Sequence, residues 1–397
     1  MLPSDLSPGD IEFWLEPPVL LALQSGVREL IERGVDKEAA SLAVELRDKL
    51  GGMIREVGPS PKPLNAYAID SSYPTPPLEL IGGVLTVLSY GYVGYLNGSY
   101  DRYVTGELFF EDVGEFERAI TRRAQLRERE LGVRLLRERS RGKAIDLIIL
   151  DGEITIHPLP YNLPIEGGLL APVGKVINEF LALAQSTGVP IVGVVKRVRS
   201  RLLSVFTGKC LPVNDKLMMS LILKPGEYVV LGRHGDLLPR WLEINYNDCE
   251  LRKHCRGGDC PEVRALMRRR LEEGLENLGR VFTGDDGRLR GISLVKDITT
   301  VFYRPRNGAP AVKLEVLNPG GALGIEDLVS YLESQTTDTG YPFLLDRVDE
   351  YVRLNPSILD YVRSMVLRES TELSEALVTM LQLTNPQKAY LVRRLEA

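Results

Sequence analysis

No apolar run in the chain reaches the roughly 18–20 residues that a helix needs to cross a bilayer, which excludes a membrane-spanning class. The opening "MLPSDLSPGDIEFWLEPP" carries acids and prolines where a secretory leader carries basic residues and an apolar stretch. A cytoplasmic protein is expected. Histidine is nearly absent, at three in 397 residues, which is no obstacle to a site built on Asp and Glu. No repeat of solenoid length and no low-complexity tract is present. There is no Walker A motif, so any ATP-driven translocation must come from another protein. A basic excess is lacking too: the net charge is −5. That argues weakly against nucleic acid, but a positive cleft can lie within an acidic surface, and local distribution outweighs the sum.

What is present is the composition of a soluble globular chain, 44% hydrophobic and 26% charged, long enough for one large domain or two ordinary ones. Arginine outnumbers lysine more than twofold, compatible with a thermophilic source. Helices are expected over 10–34 and 37–50, the latter with Ala40, Leu42, Val44, Leu46 and Leu50 mainly on one side. After the proline-rich break at 57–63 the texture turns to strands: "LNAYAID", then a long β-rich stretch pivoting at Gly82-Gly83 or Gly91, then "YDRYVTGELFF". A charged helix with a narrow apolar stripe (Ile120, Leu126, Leu131, Leu135) precedes "AIDLIILD", an apolar run suited to a strand buried on both faces. A helix at about 171–187 leads into the strand "VPIVGVVKRV". Further on, "NDKLMMSLIL" reads as a helix and "GEYVVLG" and "WLEINY" as strands. "CPEVRALMRRRLEEGLENLG" reads as a helix, followed by a hairpin around "RNGA" and two more helices. The organisation expected is an N-terminal helical segment (1–56), an α/β core (57–355) with an insertion at about 247–262, and a helical tail (356–397) broken at Asn385-Pro386.

Two strands end on a carboxylate: "LNAYAID" at Asp70 and "AIDLIILD" at Asp151. An unpaired charge at the end of a buried strand costs several kcal/mol or shifts its pKa until it neutralises. A basic partner, a helix N-terminus or a divalent metal relieves it. Either aspartate alone is an ordinary turn residue. Together, an antiparallel meander opening on one and a central strand carrying the other have the layout of RNase H-like (PIWI-like) nucleases. There, two divalent ions, Mg²⁺ or Mn²⁺, can stabilise the attacking and leaving oxygens of a phosphodiester.

In this order the motifs resemble the NurA nucleases of archaea and some bacteria, over roughly residues 60–355. "AIDSS" is similar to the family's first acidic block, "LIILDGEI" to its second, "VVGVVKRVRSRLL" to its basic strand end. "DKLMMSLILKPGEYV" and the closing "GYPFLLDRVDEYVRL" complete the series. The resemblance implies Asp70 and Asp151 as metal ligands, with a glutamate from the preceding helix, for which Glu130 is preferred over Glu128 and Glu138. Where the family often has a histidine after "GYP", this chain has Asp349, a possible fourth ligand with Arg347 nearby. The family works as a dimer enclosing a DNA channel, with a HerA-type hexameric ATPase, in resection of double-strand-break ends. The implied activity is 5′→3′ exonuclease on single- and double-stranded DNA plus single-strand endonuclease. A non-catalytic DNA clamp or adaptor for a motor ATPase is the alternative.

Lys196 follows the "VVGVV" strand and is expected to point toward the metal site. Arg197, Arg199 and Arg201, alternating along an extended segment, are expected to face phosphates. Arg304 and Arg306 would extend that track, with Tyr303 as a stacking platform. Cys249, His254, Cys255 and Cys260 crowd one stretch while Cys210 stands apart. A structural zinc site, a disulfide and free thiols all remain open.

Overall fold

The computed structural model describes residues 35–369, apart from 60–62, 97–98, 157–160, 162–169, 256–259, 285–288 and 322, together with a few single positions nearer the termini. The expected helix at 10–34 and the break at 385–386 fall outside the described residues, apart from three positions in the former. In chain order the main elements are α1 (Val35–Leu50), β1 (Ile54–Glu56), β2 (Ala66–Ser72), β3 (Leu78–Leu80), β4 (Gly83–Leu96) and β5 (Ser99–Glu111). Then come α2 (Phe116–Ser140), β6 (Leu147–Asp151), α3 (Leu170–Thr187), β7 (Ile191–Val195), α4 (Asp215–Ile222), β8 (Glu227–Arg233) and α5 (His234–Ile244). The chain continues through α6 (Pro261–Thr283), β9 (Thr299–Tyr303), β10 (Val312–Leu317), α7 (Ile325–Ser334), α8 (Phe343–Val352) and α9 (Ser357–Glu369).

The strands form one mixed sheet in the order β1-β8-β9-β10-β7-β6-β2-β4-β3, with β5 also pairing β4. β2, β4 and β5 are an antiparallel meander. β6 then lies parallel to β2, and β7 parallel to β6. The run β5-β4-β2-β6-β7, with α2 and α3 as the connections that let parallel strands meet, is the RNase H-like arrangement expected. The expected pivot in the meander is the turn at Ile81-Gly82; Gly91 lies inside β4, paired on both sides, where a Cβ would meet the Tyr103 carbonyl oxygen of β5 at 2.4 Å.

Alternation along the central strands builds two cores. Tyr67 and Ile69 of β2 join Ile148 and Leu150 of β6 beneath α2 and α3. Ala66, Ala68, Leu147 and Ile149 face the opposite way, toward α7 and α8. α1 buries Ala39, Ala43, Leu46 and Leu50 in a third cluster that also holds Met218 and Met219 of α4. Leu46 and Leu50 are buried and Leu42 half-buried as expected, while Ala40 and Val44 are exposed and Ala39 and Ala43 take their place.

One expected strand is helical. "WLEINY" belongs to α5 and the π-turn that follows. Its short alternation fits a strand, but Leu237, Leu238, Trp241 and Leu242 recur with a helical period and pack against the third core. Among the described residues no helix is long and apolar enough to cross a membrane.

Of the three states left open for the cysteines, the structure shows disulfides, and they take in Cys210 as well. Cys210 bonds Cys249 across 39 positions, and Cys255 bonds Cys260 across five. Every cysteine is thus used, and His254 sits exposed beside Glu250, so the zinc alternative does not hold. Loop closure makes the longer bridge the stronger one, about 3–4 kcal/mol against about 2 kcal/mol. Cys210→Ser is therefore expected to lower Tm more than Cys255→Ser. Equal melting of the intact and reduced protein would count against both bridges.

Candidate active site

The parallel register sets Ile69 opposite Leu150, so Asp70 and Asp151 occupy the next rung, side by side at the carboxyl ends of β2 and β6. By alternation both belong to the face toward α8, whereas Ser71 faces α2. The chain turns directly after Asp151, whereas β2 runs on past Asp70 to Ser72. Asp70 Oδ1 accepts the Ser71 amide at 2.7 Å, an Asx-type contact. Gly152 adopts φ +112°, a left-handed conformation that glycine alone takes cheaply. Gly193 of β7 backs that turn, where a Cβ would lie 2.5 Å from the Gly152 carbonyl oxygen.

The third carboxylate is Glu128 of α2, not Glu130. The Ser71 hydroxyl donates to Glu128 Oε1 at 2.5 Å, and the charges of Glu128 and Asp151 both act on Asp70. Glu130, two residues on, lies about 200° around the helix. Its carboxylate is bound by Arg127, which also bonds Glu107. Glu138 pairs with Arg134 and Lys143, further along the outer face.

Lys196 Nζ donates to Asp151 Oδ2 at 2.7 Å and lies 5.2 Å from the centre of the Tyr341 ring. Tyr341, of the "GYP" block, has its hydroxyl held by Lys216, whose ammonium also reaches the Lys196 carbonyl. Asp349 is half-buried on α8 and its charge bears on both Asp151 and Lys196. Its own carboxylate is held by Arg353; Arg347 pairs with Glu350 instead.

Electrostatically the cluster is overloaded with negative charge. Asp70 is only 6% exposed. Burial first, then the charges of Asp151 and Glu128, push its pKa up to about 9. Asp151 is also raised, by burial most, against the pull of Lys196. Burial raises Glu128 in the same way, opposed by Arg129 and the Ser71 hydroxyl. Burial works to lower Lys196, but the surrounding carboxylates more than offset it and its pKa rises. As the side chains stand, no group of three His, Cys, Asp or Glu among the described residues closes around one point tightly enough to hold an ion. Lys196 on Asp151 and Arg129 on Glu128 supply the positive charge instead.

A groove of about 390 Å³ opens onto the cluster, lined by Ser71, Tyr73, Gln125, Glu128, Asp151 and Arg197 among others. Of the expected basic track, Arg197 alone lines it. The segment after β7 leaves extended pairing, and Arg201 turns back onto Cys210 Sγ at 3.5 Å while Arg199 is exposed elsewhere on that loop. The second part of the track is structural. Tyr303 is 0% exposed between β8 and β10, bonded to Thr336, and cannot stack on a base. Arg304 caps the carbonyls of Ser220 and Leu223, and Arg306 bonds Glu333 and the Val57 carbonyl. Ser71, Tyr341 and Arg129 had no assigned role in the sequence reading. Ser71 was legible only as a turn hydroxyl, and Arg129 only as the neighbour of a phased glutamate.

An RNase H-like sheet, with aspartates side by side on β2 and β6 and a glutamate from the intervening helix, defines a class of acidic site. The chain belongs to the NurA domain family, whose model matches residues 64–354. Among solved structures it is similar to the NurA nuclease from Sulfolobus solfataricus, at 14% identity and a TM-score of 0.55, covering 91% of this chain and 99% of that one. It is also similar to a crystal structure of NurA with manganese, at 13% identity and a TM-score of 0.47, covering 87% of this chain and 99% of the other. No curated protein matches the chain.

Proposed function

We propose that the chain is a metal-dependent DNA nuclease whose cations are held by Asp70, Glu128 and Asp151, with Asp349 at the margin. The observation that carries this reading is the meeting of three carboxylates on one strand-end rung and the helix above it, all with raised pKa values. Lys196 and Arg129 neutralise this set only in part, and a divalent cation drawn in by the carboxylates would relieve the rest. Oxygen-only donors fit a hard divalent ion, Mn²⁺ or Mg²⁺, better than a soft one. When bound, two such ions would supply Lewis-acid stabilisation of the phosphodiester and a water of lowered pKa.

The chain's own residues do the rest. Arg197, exposed at the groove, binds a backbone phosphate. Lys196 balances Asp151 and would stabilise negative charge developing beside it. Ser71 fixes one oxygen of Glu128 and leaves the carboxylate a single orientation. The half-buried Tyr73 and Gln125 give the groove neutral polar walls for the nucleotide nearest the cluster. Family membership supports the finer reading: 5′→3′ exonuclease on single- and double-stranded DNA with single-strand endonuclease, as a homodimer, with a HerA-type ATPase in end resection.

The test is digestion of end-labelled and circular single-stranded DNA with Mn²⁺, with Mg²⁺ and with EDTA. Metal-dependent release of label, stopped by EDTA, is expected. A chain that retains DNA and stimulates a hexameric ATPase, yet cuts nothing with either metal, is a clamp or adaptor and ends the nuclease reading.

A further inference from the structure

Arg129 is the bulkiest of the fully buried side chains, at 1% exposure. It follows Glu128 in α2 and touches no group of the reacting set except that glutamate. Its guanidinium donates three ways: from Nη1 to Glu128 Oε2, from Nη2 to the Glu153 carbonyl, and from Nε to the Ile154 carbonyl at 3.3 Å. The two carbonyls belong to the turn that leaves Asp151. The far side of the same turn is fixed as well. The Ile154 amide donates to Glu315 Oε2 at 3.0 Å, and Lys313 Nζ, also buried, donates to Glu315 Oε1 at 3.0 Å.

We propose that Arg129 is a positioning residue that sets the separation between Glu128 and Asp151. The inference rests on the nuclease reading. A planar fork of fixed geometry ties the helix carboxylate to the strand-end turn that carries the other carboxylate. The two elements share no backbone hydrogen bond; Ser71 ties Glu128 to β2, but the fork alone joins it directly to the turn that leaves Asp151. A lysine keeps the charge but is a point donor on a flexible stem and cannot hold three acceptors in one plane. Glu128, Arg129, Asp151, Gly152 and Glu153 line one groove, so a shift of the turn relative to α2 alters the site directly.

The experiment compares the full-length wild type with Arg129→Lys, and with Arg129→Gln should lysine fail to fold. Mn²⁺ binding is measured by calorimetry without DNA, and kcat and KM are measured separately. In a folded Arg129→Lys protein, Mn²⁺ affinity and kcat should each fall about 10–100-fold, the range found when a partner holding a metal ligand is lost, with KM for DNA within about twofold. In a Glu128→Gln background the same substitution should change Mn²⁺ affinity little, because Arg129 acts through Glu128. Unchanged Mn²⁺ affinity and kcat overturn the proposal, as does a fall in Tm alone. A wild type that neither binds Mn²⁺ nor cleaves DNA overturns the nuclease reading itself.

Discussion

Asp151→Asn is expected to slow metal-dependent DNA cleavage by about 10³-fold or more, the scale of losing one charged stabiliser of a transition state, without unfolding the protein. Asparagine has the same shape, and the pairing that fixes the strand end does not use the carboxylate: Asp151 sits opposite Val194, and the Gly152 amide donates to the Val194 carbonyl at 2.9 Å. What is lost is the charge that binds Lys196 and adjoins Asp70. Asp70→Asn and Glu128→Gln should lose comparable activity. Glu130→Gln should stay within about twofold of wild type, because Glu130 spends its charge on Arg127 at the outer face of α2. Single-turnover cleavage of a labelled oligonucleotide reads all four variants. Full activity in Asp151→Asn, or loss in Glu130→Gln with none in Glu128→Gln, would refute the assignment.

Melting of the metal-free protein should give the second large effect, in the opposite sense to most substitutions of buried residues. Burial, then the charges of Asp151 and Glu128, push the Asp70 carboxyl up to about 9 in the folded chain, far above the roughly 4 of a free aspartate. Between those values the native state keeps a proton that the unfolded chain has released. Native protein therefore binds more protons, and stability falls as pH rises through this window. Asp70→Asn removes that dependence. In EDTA at pH 8 it should melt a few degrees above wild type, on the order of 2–5 °C for a chain of this size. Near pH 4 the two should melt together. Mn²⁺ should reverse the order, since a cation that binds only the native state stabilises the wild type by mass action. A lower Tm for Asp70→Asn than for wild type in EDTA at pH 8 would mean that Asp70 is held as a paired anion, against the electrostatics above.

Much of the acidic site lay open in the linear chain. Apolar runs that stop on Asp70 and Asp151 put a carboxylate where one is out of place, two residues before the end of β2 and at the end of β6, and the helix between them carries its own phase. Leu131 and Leu135 stand three and seven positions after Glu128, on the same face of α2, so the buried stripe already pointed to Glu128 over Glu130. Preferring Glu130 on local charge spacing ignored that phase. The basic track misled for another reason. Tyr303, Arg304 and Arg306 look like a stacking residue among cations until β8 and β10 are seen on either side of β9, which leaves the tyrosine no exposed face. The cysteines show the same limit: proximity in the chain suggested a cluster of three, whereas the fold brings Cys210 to Cys249.

By itself, then, the amino-acid order determined what local periodicity governs: the strands and most helices, the aspartates that close the apolar runs of two strands, and the α/β class. Strand alternation and helical phase act over a few residues, and they are written in the chain directly. Only the tertiary structure decided which charges meet: Ser71 on Glu128, Lys196 on Asp151, Arg129 across to the 153–154 turn. Each pair joins residues tens of positions apart or on separate elements, and its energy depends on sheet register and burial, which no local pattern specifies.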